Sequence, residues 1–339
     1  MDVQAGRASS SYRRPQLTLE ALTPEPARLS PLDQSASAIL THRTSIGEIF
    51  LLGSVSEAGD VWSTVGQVPR SNLYFNDHHE PTMYVDPLAL IEIVRQSCSC
   101  IAHTALALPT STKFVLNELA FDLRTLRYDG LDARRSIVAN TQIEVIRERR
   151  GIPQTAVFTS ELYNGSNFVG RVKFETSFLT DPVYSVLRGG RTQRGGDAEG
   201  ALISAPTVGV TPQSVGRRHP INVVIADPSR PSHRELVCQI QPQFSNPSMF
   251  DHAQDHVPGM VILEAVRQAA QYSFGALARP VSGACMFYNF LENDDAGRIV
   301  GESAQDGVAT RSRLFGEIQD ARGIALGRFD LQLSAEEAA

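Results

Sequence analysis

The chain carries one constrained segment twice, and few folds accommodate that. The first copy reads Asp77-His78-His79-Glu80-Pro81, then Asp86-Pro87-Leu88-Ala89-Leu90-Ile91-Glu92-Ile93-Val94-Arg95-Gln96. The second reads Phe250-Asp251-His252, then Asp255-His256-Val257-Pro258-Gly259-Met260-Val261-Ile262-Leu263-Glu264-Ala265-Val266-Arg267-Gln268. In both, an Asp-His pair precedes an apolar run that encloses Glu-x-x-Arg-Gln. Each Glu follows Asp86 or Pro258 by six residues. Copies half a chain apart mark an internal duplication, so the two halves should fold alike. A length of 339 residues is enough for two cores.

The elements repeat as well. Thr44–Gly53 and Val61–Val68 read as strands. Pro87–Leu106 reads as a long helix capped by Asp86, with Pro87 in its first turn and Pro109 beyond its end. Lys113–Leu123, Ser136–Ile146, Thr155–Tyr163 and Asn167–Leu179 read as strands, with a hairpin turn at Asn164-Gly165. In the second half, Ile221–Ala226 and Leu236–Ile240 are strands and Pro258–Ala276 is the helix. Ala284–Leu291, Ile299–Glu302, Arg311–Ile318 and Ile324–Leu333 complete it. One helix to five or six strands implies an antiparallel sheet wrapped round a central helix. The expected fold class is α+β: two tandem hotdog domains forming an intrachain pseudo-dimer. The expected division is a flexible N-terminal arm (1–38), a first domain (39–180), a linker (181–216) and a second domain (217–335). The linker carries Arg188-Gly189-Gly190-Arg191 and Arg194-Gly195-Gly196-Asp197. A basic glycine-rich loop can bind phosphate, but no strand–helix context frames this one.

Composition excludes several classes. A net charge of −6 gives no sign of nucleic-acid binding. No apolar run reaches membrane-span length, and the first thirty residues lack a signal-peptide core, so a cytoplasmic location is expected. Cys98, Cys100, Cys238 and Cys285 are too few and too irregular for a disulfide framework. No Cys/His spacing matches a metal site, and no cofactor is expected.

Both long helices are apolar nearly all round, so a Glu and an Arg on them must be paired or used. Glu92 with Arg95, and Glu264 with Arg267, are spaced to pair along the helix. Either they form buried ion pairs that hold the helices together, or they face a pocket between the halves. Pro258-Gly259 puts free backbone N–H groups and the positive end of the helix dipole where a carbonyl oxygen can approach. Pro87 lacks an N–H and makes the poorer oxyanion hole. Two unequal sites are expected, the one on the second helix better suited to chemistry. His78 and His252 are candidates for proton transfer or substrate positioning.

The His78–Glu92 stretch, and Pro258-Gly259 with Glu264 and Gln268, resemble the helix signature of hotdog 3-hydroxyacyl-carrier-protein dehydratases. Arg95 and Arg267 depart from it, standing where those enzymes usually have a small or apolar residue. A closer resemblance is to the A-factor biosynthesis (AfsA-type) γ-butyrolactone synthase family. It rests on Thr41-His42-Arg43, Glu48-Ile49-Phe50-Leu51, Asp86-Pro87-Leu88, Phe250-Asp251-His252, Asp255–Met260 and both Glu-x-x-Arg-Gln helices, and covers roughly residues 40 to 335. The resemblance implies an acyltransferase. It would move a β-ketoacyl group from an acyl carrier protein to dihydroxyacetone phosphate, the first step toward a γ-butyrolactone or butenolide signal that controls secondary metabolism. On that footing Glu264, His78, Glu92 and His252 are candidate catalytic residues, and Arg267, Arg95, Gly259, Gln268 and Gln96 candidate substrate-binding residues. Glu264 would handle the acceptor hydroxyl, Gly259 N–H would hold the thioester oxygen, and His78 would assist across the interface. Arginine suits the acceptor's phosphate. A dehydratase or thioesterase on the same fold is the alternative, disfavoured by the arginine pair. A non-catalytic acyl- or lactone-binding regulator is a further one, disfavoured by polar sets kept in both halves. Whether the chain dimerises further stays open.

Overall fold

The computed structural model describes residues 34–78, 84–131, 135–189, 208–305 and 311–334. The arm up to residue 33, His79–Pro81 and the linker from Gly190 to Thr207 lie outside these. The elements are α1 (Ala38–Thr41), β1 (Leu51–Ala58), β2 (Val61–Gln67), α2 (Pro87–Thr104), β3 (Lys113–Leu123), β4 (Ser136–Arg149), β5 (Ile152–Asn164) and β6 (Asn167–Leu179), then α3 (Asp181–Leu187). There follow β7 (Ile225–Ser229), β8 (Glu235–Ile240), α4 (Gly259–Phe274), β9 (Arg279–Phe287), β10 (Arg298–Gln305), β11 (Arg311–Gln319) and β12 (Ala325–Ser334).

All twelve strands form one antiparallel sheet, ordered β1-β2-β4-β5-β6-β3-β9-β12-β11-β10-β8-β7. Read outward from the centre, the two halves have the same order, so the duplication is a pseudo-two-fold about the β3–β9 seam. There Glu118 pairs with Met286 and Phe121 with Gly283. Each half wraps its long helix, as the hotdog fold requires. Gly66 on β2 shows how closely: a Cβ there would sit 2.3 Å from Ile93 Cγ2, so only glycine lets α2 lie on the strand. Leu90, Ile91, Ile93 and Val94 of α2, and Val261, Leu263, Ala265 and Val266 of α4, are buried accordingly.

Two local readings differ. The first strand starts late in both halves, because Ile46–Glu48 and Pro220–Asn222 form 3-10 turns before the chain extends. The stretch read as linker opens with helix α3, started by Pro182 and continued by a buried Tyr184. Arg188 at its end is also buried, so the stretch enters the core of the molecule. Cys98, Cys100, Cys238 and Cys285 are all buried free thiols.

Candidate active site

Glu92 is 1% exposed on α2 between the apolar Ile91 and Ile93, and a buried carboxylate must be satisfied. Arg95 Nε donates to Oε2 at 2.7 Å and its Nη2 to Oε1 at 2.8 Å. Arg43 donates to Oε1 from Nε at 3.1 Å and from Nη2 at 2.5 Å, and Gln96 Nε2 adds a bond of 2.7 Å. Burial alone would raise this carboxyl; the two guanidiniums more than reverse that and hold it at about 2. Glu92 is therefore a fixed anion that fastens two cations, and a poor general base at neutral pH.

Arg43 and Arg95 keep 12% and 24% of their side chains exposed, facing a cavity of about 840 Å³. Phe114, Leu116, Phe158 and Phe174 make part of its wall apolar. The second half supplies the opposite wall with His252, Gln254, Asp255 and His256. Gly259, at the start of α4, lies against the same wall: a Cβ there would be 3.0 Å from Leu116 Cδ2. The two halves also hold each other's loops. Asp251 accepts from Thr44 N at 2.5 Å and Ser45 N at 2.8 Å, which fixes the turn carrying Arg43.

Three histidines line this cavity and differ in what they can do. His256 holds Asp255 Oδ1 through Nδ1 at 2.7 Å, and its Nε2 has no hydrogen bond among the described residues and is not buried. That arrangement leaves an imidazole whose free nitrogen is a proton acceptor. His252 Nε2 already accepts from Gln254 Nε2 at 2.7 Å. His42 sits with Nε2 2.7 Å from His103 Nε2, while His103 Nδ1 donates to Leu108 O at 2.8 Å. Burial first, then Arg95, lowers His42 to about 3, so it is a neutral hydrogen-bonding group.

The pseudo-equivalent place on α4 is closed. Glu264 is fully buried, where Arg217 Nε and Nη2 reach its Oε1 at 3.0 and 2.8 Å, Tyr74 Oη donates to Oε2 at 2.8 Å and Arg267 pairs with it. Burial pushes Glu264 up to about 7 against the pull of Arg217. Arg217 is itself 1% exposed and stacks 4.5 Å over the Tyr74 ring. Arg267 Nη1 donates to both oxygens of Asp86. About 60 Å³ of space remains there, beside His78, whose Nε2 is 3.6 Å from Asp86 Oδ2 and whose pKa burial lowers.

The structure thus separates residues that the sequence groups together. Arg95 and His252 line the α2 cavity, with Glu92 behind Arg95 and Gly259 against its wall residue Leu116, whereas Glu264, Arg267 and His78 lie together at the closed site. The cavity opens on the first helix, contrary to the expectation for the second. Gln96 and Gln268 are internal braces. Gln96 Nε2 donates to Glu48 O and its Oε1 accepts from Phe50 N, and Gln268 does the same with Asn222 O and Val224 N. Arg43, Arg217, His42 and His256 were not among the sequence candidates. Arg43 and Arg217 lie at matching positions ahead of the Glu48 and Asn222 turns, which was the available signal. Among the described residues there is no cluster suited to a metal ion and no helix long and apolar enough to cross a membrane.

A family model described as A-factor biosynthesis hotdog domain matches residues 26–180 and 201–289. A protein of Streptomyces virginiae named 2-oxo-3-(phosphooxy)propyl 3-oxoalkanoate synthase is 29% identical over 68% of this chain and 74% of its own length. One of the same name from Streptomyces coelicolor is 26% identical over 75% of this chain and 78% of its own. Among solved structures, a 12:0-ACP thioesterase from Umbellularia californica superposes with a TM-score of 0.50 at 10% identity, covering 82% of this chain and 98% of that one. At that identity it speaks for the double-hotdog fold alone.

Proposed function

The chain belongs to the A-factor biosynthesis hotdog family, and we propose that it is an acyltransferase that moves a 3-oxoacyl group from a carrier-bound thioester to the hydroxyl of dihydroxyacetone phosphate. The observation that carries the proposal is the pair of guanidiniums, Arg43 and Arg95, fastened on Glu92 and facing a cavity with an apolar wall. A hydrolase or dehydratase has no second anion to hold, whereas two guanidinium forks suit a phosphate. The relatives' name describes an ester of a phosphooxy-bearing alcohol with a 3-oxoalkanoic acid, which needs both features.

The phosphate sits on Arg43 and Arg95, and the acyl chain lies along Phe114, Leu116, Phe158 and Phe174. Gly259 N–H, at the positive end of α4, takes the thioester oxygen. His256 Nε2 receives the acceptor's hydroxyl proton as that oxygen attacks the thioester carbon. The carbon–sulfur bond then breaks, and the departing thiolate takes the proton from His256. Glu92 keeps the cations in register, and His252 contacts substrate. Binding both substrates in one cavity supplies much of the acceleration.

The test is intact-mass spectrometry of a 3-oxoacyl carrier protein incubated with the enzyme, with and without dihydroxyacetone phosphate. Loss of the acyl group only with acceptor, and appearance of the phosphorylated ester, is the expected result. Acyl loss without acceptor would make the protein a thioesterase and overturn the proposal.

A further inference from the structure

We propose that Tyr184 and Arg188, on and just after α3, are positioning residues that hold the Asp255–His256 pair in its working geometry. The segment joining the two halves thereby forms part of the active site. The proposal rests on His256 acting as the proton acceptor.

The contacts converge on one carboxylate. Tyr184 Oη donates to Asp255 Oδ1 and Oδ2 at 2.9 and 3.0 Å. Arg188 Nη2 donates to the Asp255 carbonyl at 2.8 Å, and its Nε lies 3.4 Å from Oδ2. Arg188 is fixed in turn by Glu292, which accepts from Nη1 and Nη2 at 2.8 and 2.7 Å, and by the Phe290 ring 4.5 Å away. His256 packs edge-on against the same Phe290. A buried arginine between a loop of the second half and the end of the first half's last helix fixes both the place and the angle of the imidazole.

The same contacts draw on the charge of Asp255. Each donor to Asp255 draws charge from it and weakens its hold on an imidazolium. Asp255 is held at about 2: burial would raise it, and the His256 and Tyr184 hydrogen bonds with Arg188 reverse that. The other charged or titratable groups lining the cavity with His256 are His42, Arg43, Arg95, Cys98, Lys113, Asp181 and His252, and Glu292 stands behind Arg188.

Tyr184→Phe keeps the ring and deletes only the donor, so the fold should persist. Asp255 then holds the imidazolium more strongly. The acidic limb of the kcat/KM profile should move to higher pH by about half to one unit. KM for the phosphorylated acceptor should stay within twofold. An unmoved acidic limb with an unchanged Tm would overturn the positioning role. His256→Gln separates the two proposals. If that variant keeps full activity, the base assignment fails. If it is inactive while Tyr184→Phe shifts nothing, only the positioning role fails.

Discussion

Asp86 caps α2 by accepting from Leu88 N at 2.8 Å, and its two oxygens also take Arg267 Nη1 at 2.8 and 2.9 Å. At the matching point before α4 stands Pro258, which has no carboxylate to offer Arg95. One carboxylate present in one copy and absent from the other thus separates a neutralised arginine from one that faces a cavity. Tyr74 and Ser248 add to the difference: the phenol fills the closed site on Glu264, while the serine bonds Glu48.

Arg95→Ala and Arg267→Ala should therefore fail in different ways. Removing Arg95 should raise KM for the phosphorylated acceptor on the order of 10- to 100-fold, from loss of a charge-assisted bond, with a small effect on the acyl donor. Removing Arg267 leaves Asp86 and Glu264 buried with a partner missing. It should cost about 3–5 kcal/mol in urea unfolding and leave KM near wild type. Equal KM effects from both variants would show that the closed site also binds the acceptor.

Arg217 supplies a second structural test. Arg217→Ala strips Glu264 of its bidentate partner inside the core and should also cost about 3–5 kcal/mol. Adding Glu264→Met to Arg217→Met replaces a buried pair by apolar volume and should recover most of that loss. A double variant no more stable than the single one would mean that the ion pair contributes more than it costs to bury.

The fold was legible because the hydrophobic period and the turn residues repeat: β3 and β6 begin and end where the pattern places them. The ion pairs were legible too, since i and i+3 on a buried helix leave little choice. The distribution of residues between the two sites was not. It depends on the pseudo-two-fold, which brings Asp251 to Thr44 and Asp77 to the Arg218 and His219 amides. Sequence proximity joins Gly259 to Glu264, whereas the fold packs it against Leu116 of the first half. Tyr184 and Arg188 were hidden by composition, because the helix that carries them is short and opens a stretch rich in glycine and arginine.

The Glu92 cluster should show in the pH dependence of stability. Its carboxyl titrates at about 2 in the folded protein against 4.5 as the ordinary value, so folding favours the ionised form. Its contribution is complete above about pH 4.5 and is lost as pH falls toward 2. Glu92→Gln should thus be less stable than wild type at pH 7, and the gap should narrow by about 3 kcal/mol between pH 4.5 and 2. A gap of constant size would show that the loss at neutral pH comes from packing and not from charge.

Gly259 offers a test in which the second copy is given the residue of the first. Proline is tolerated at the first position of a helix, as Pro87 shows in α2, and Pro258 already has the extended ψ of 144° that a following proline requires. Gly259→Pro should leave α4 intact while deleting one N–H. Gly259→Ala keeps the N–H and adds the same Cβ, which meets Leu116 Cδ2 at 3.0 Å and asks that side chain to give by a few tenths of an ångström. The cost of the Cβ is therefore shared by the two variants, which differ in the N–H and in the ring carbons that replace it. If that N–H receives the thioester oxygen, kcat for Gly259→Pro should fall on the order of 100-fold below Gly259→Ala, with the acceptor KM little changed. Equal rates for the two variants would remove the helix start from the chemistry. Stabilisation of the oxyanion would then fall to the guanidinium donors of the cavity, Arg43 and Arg95.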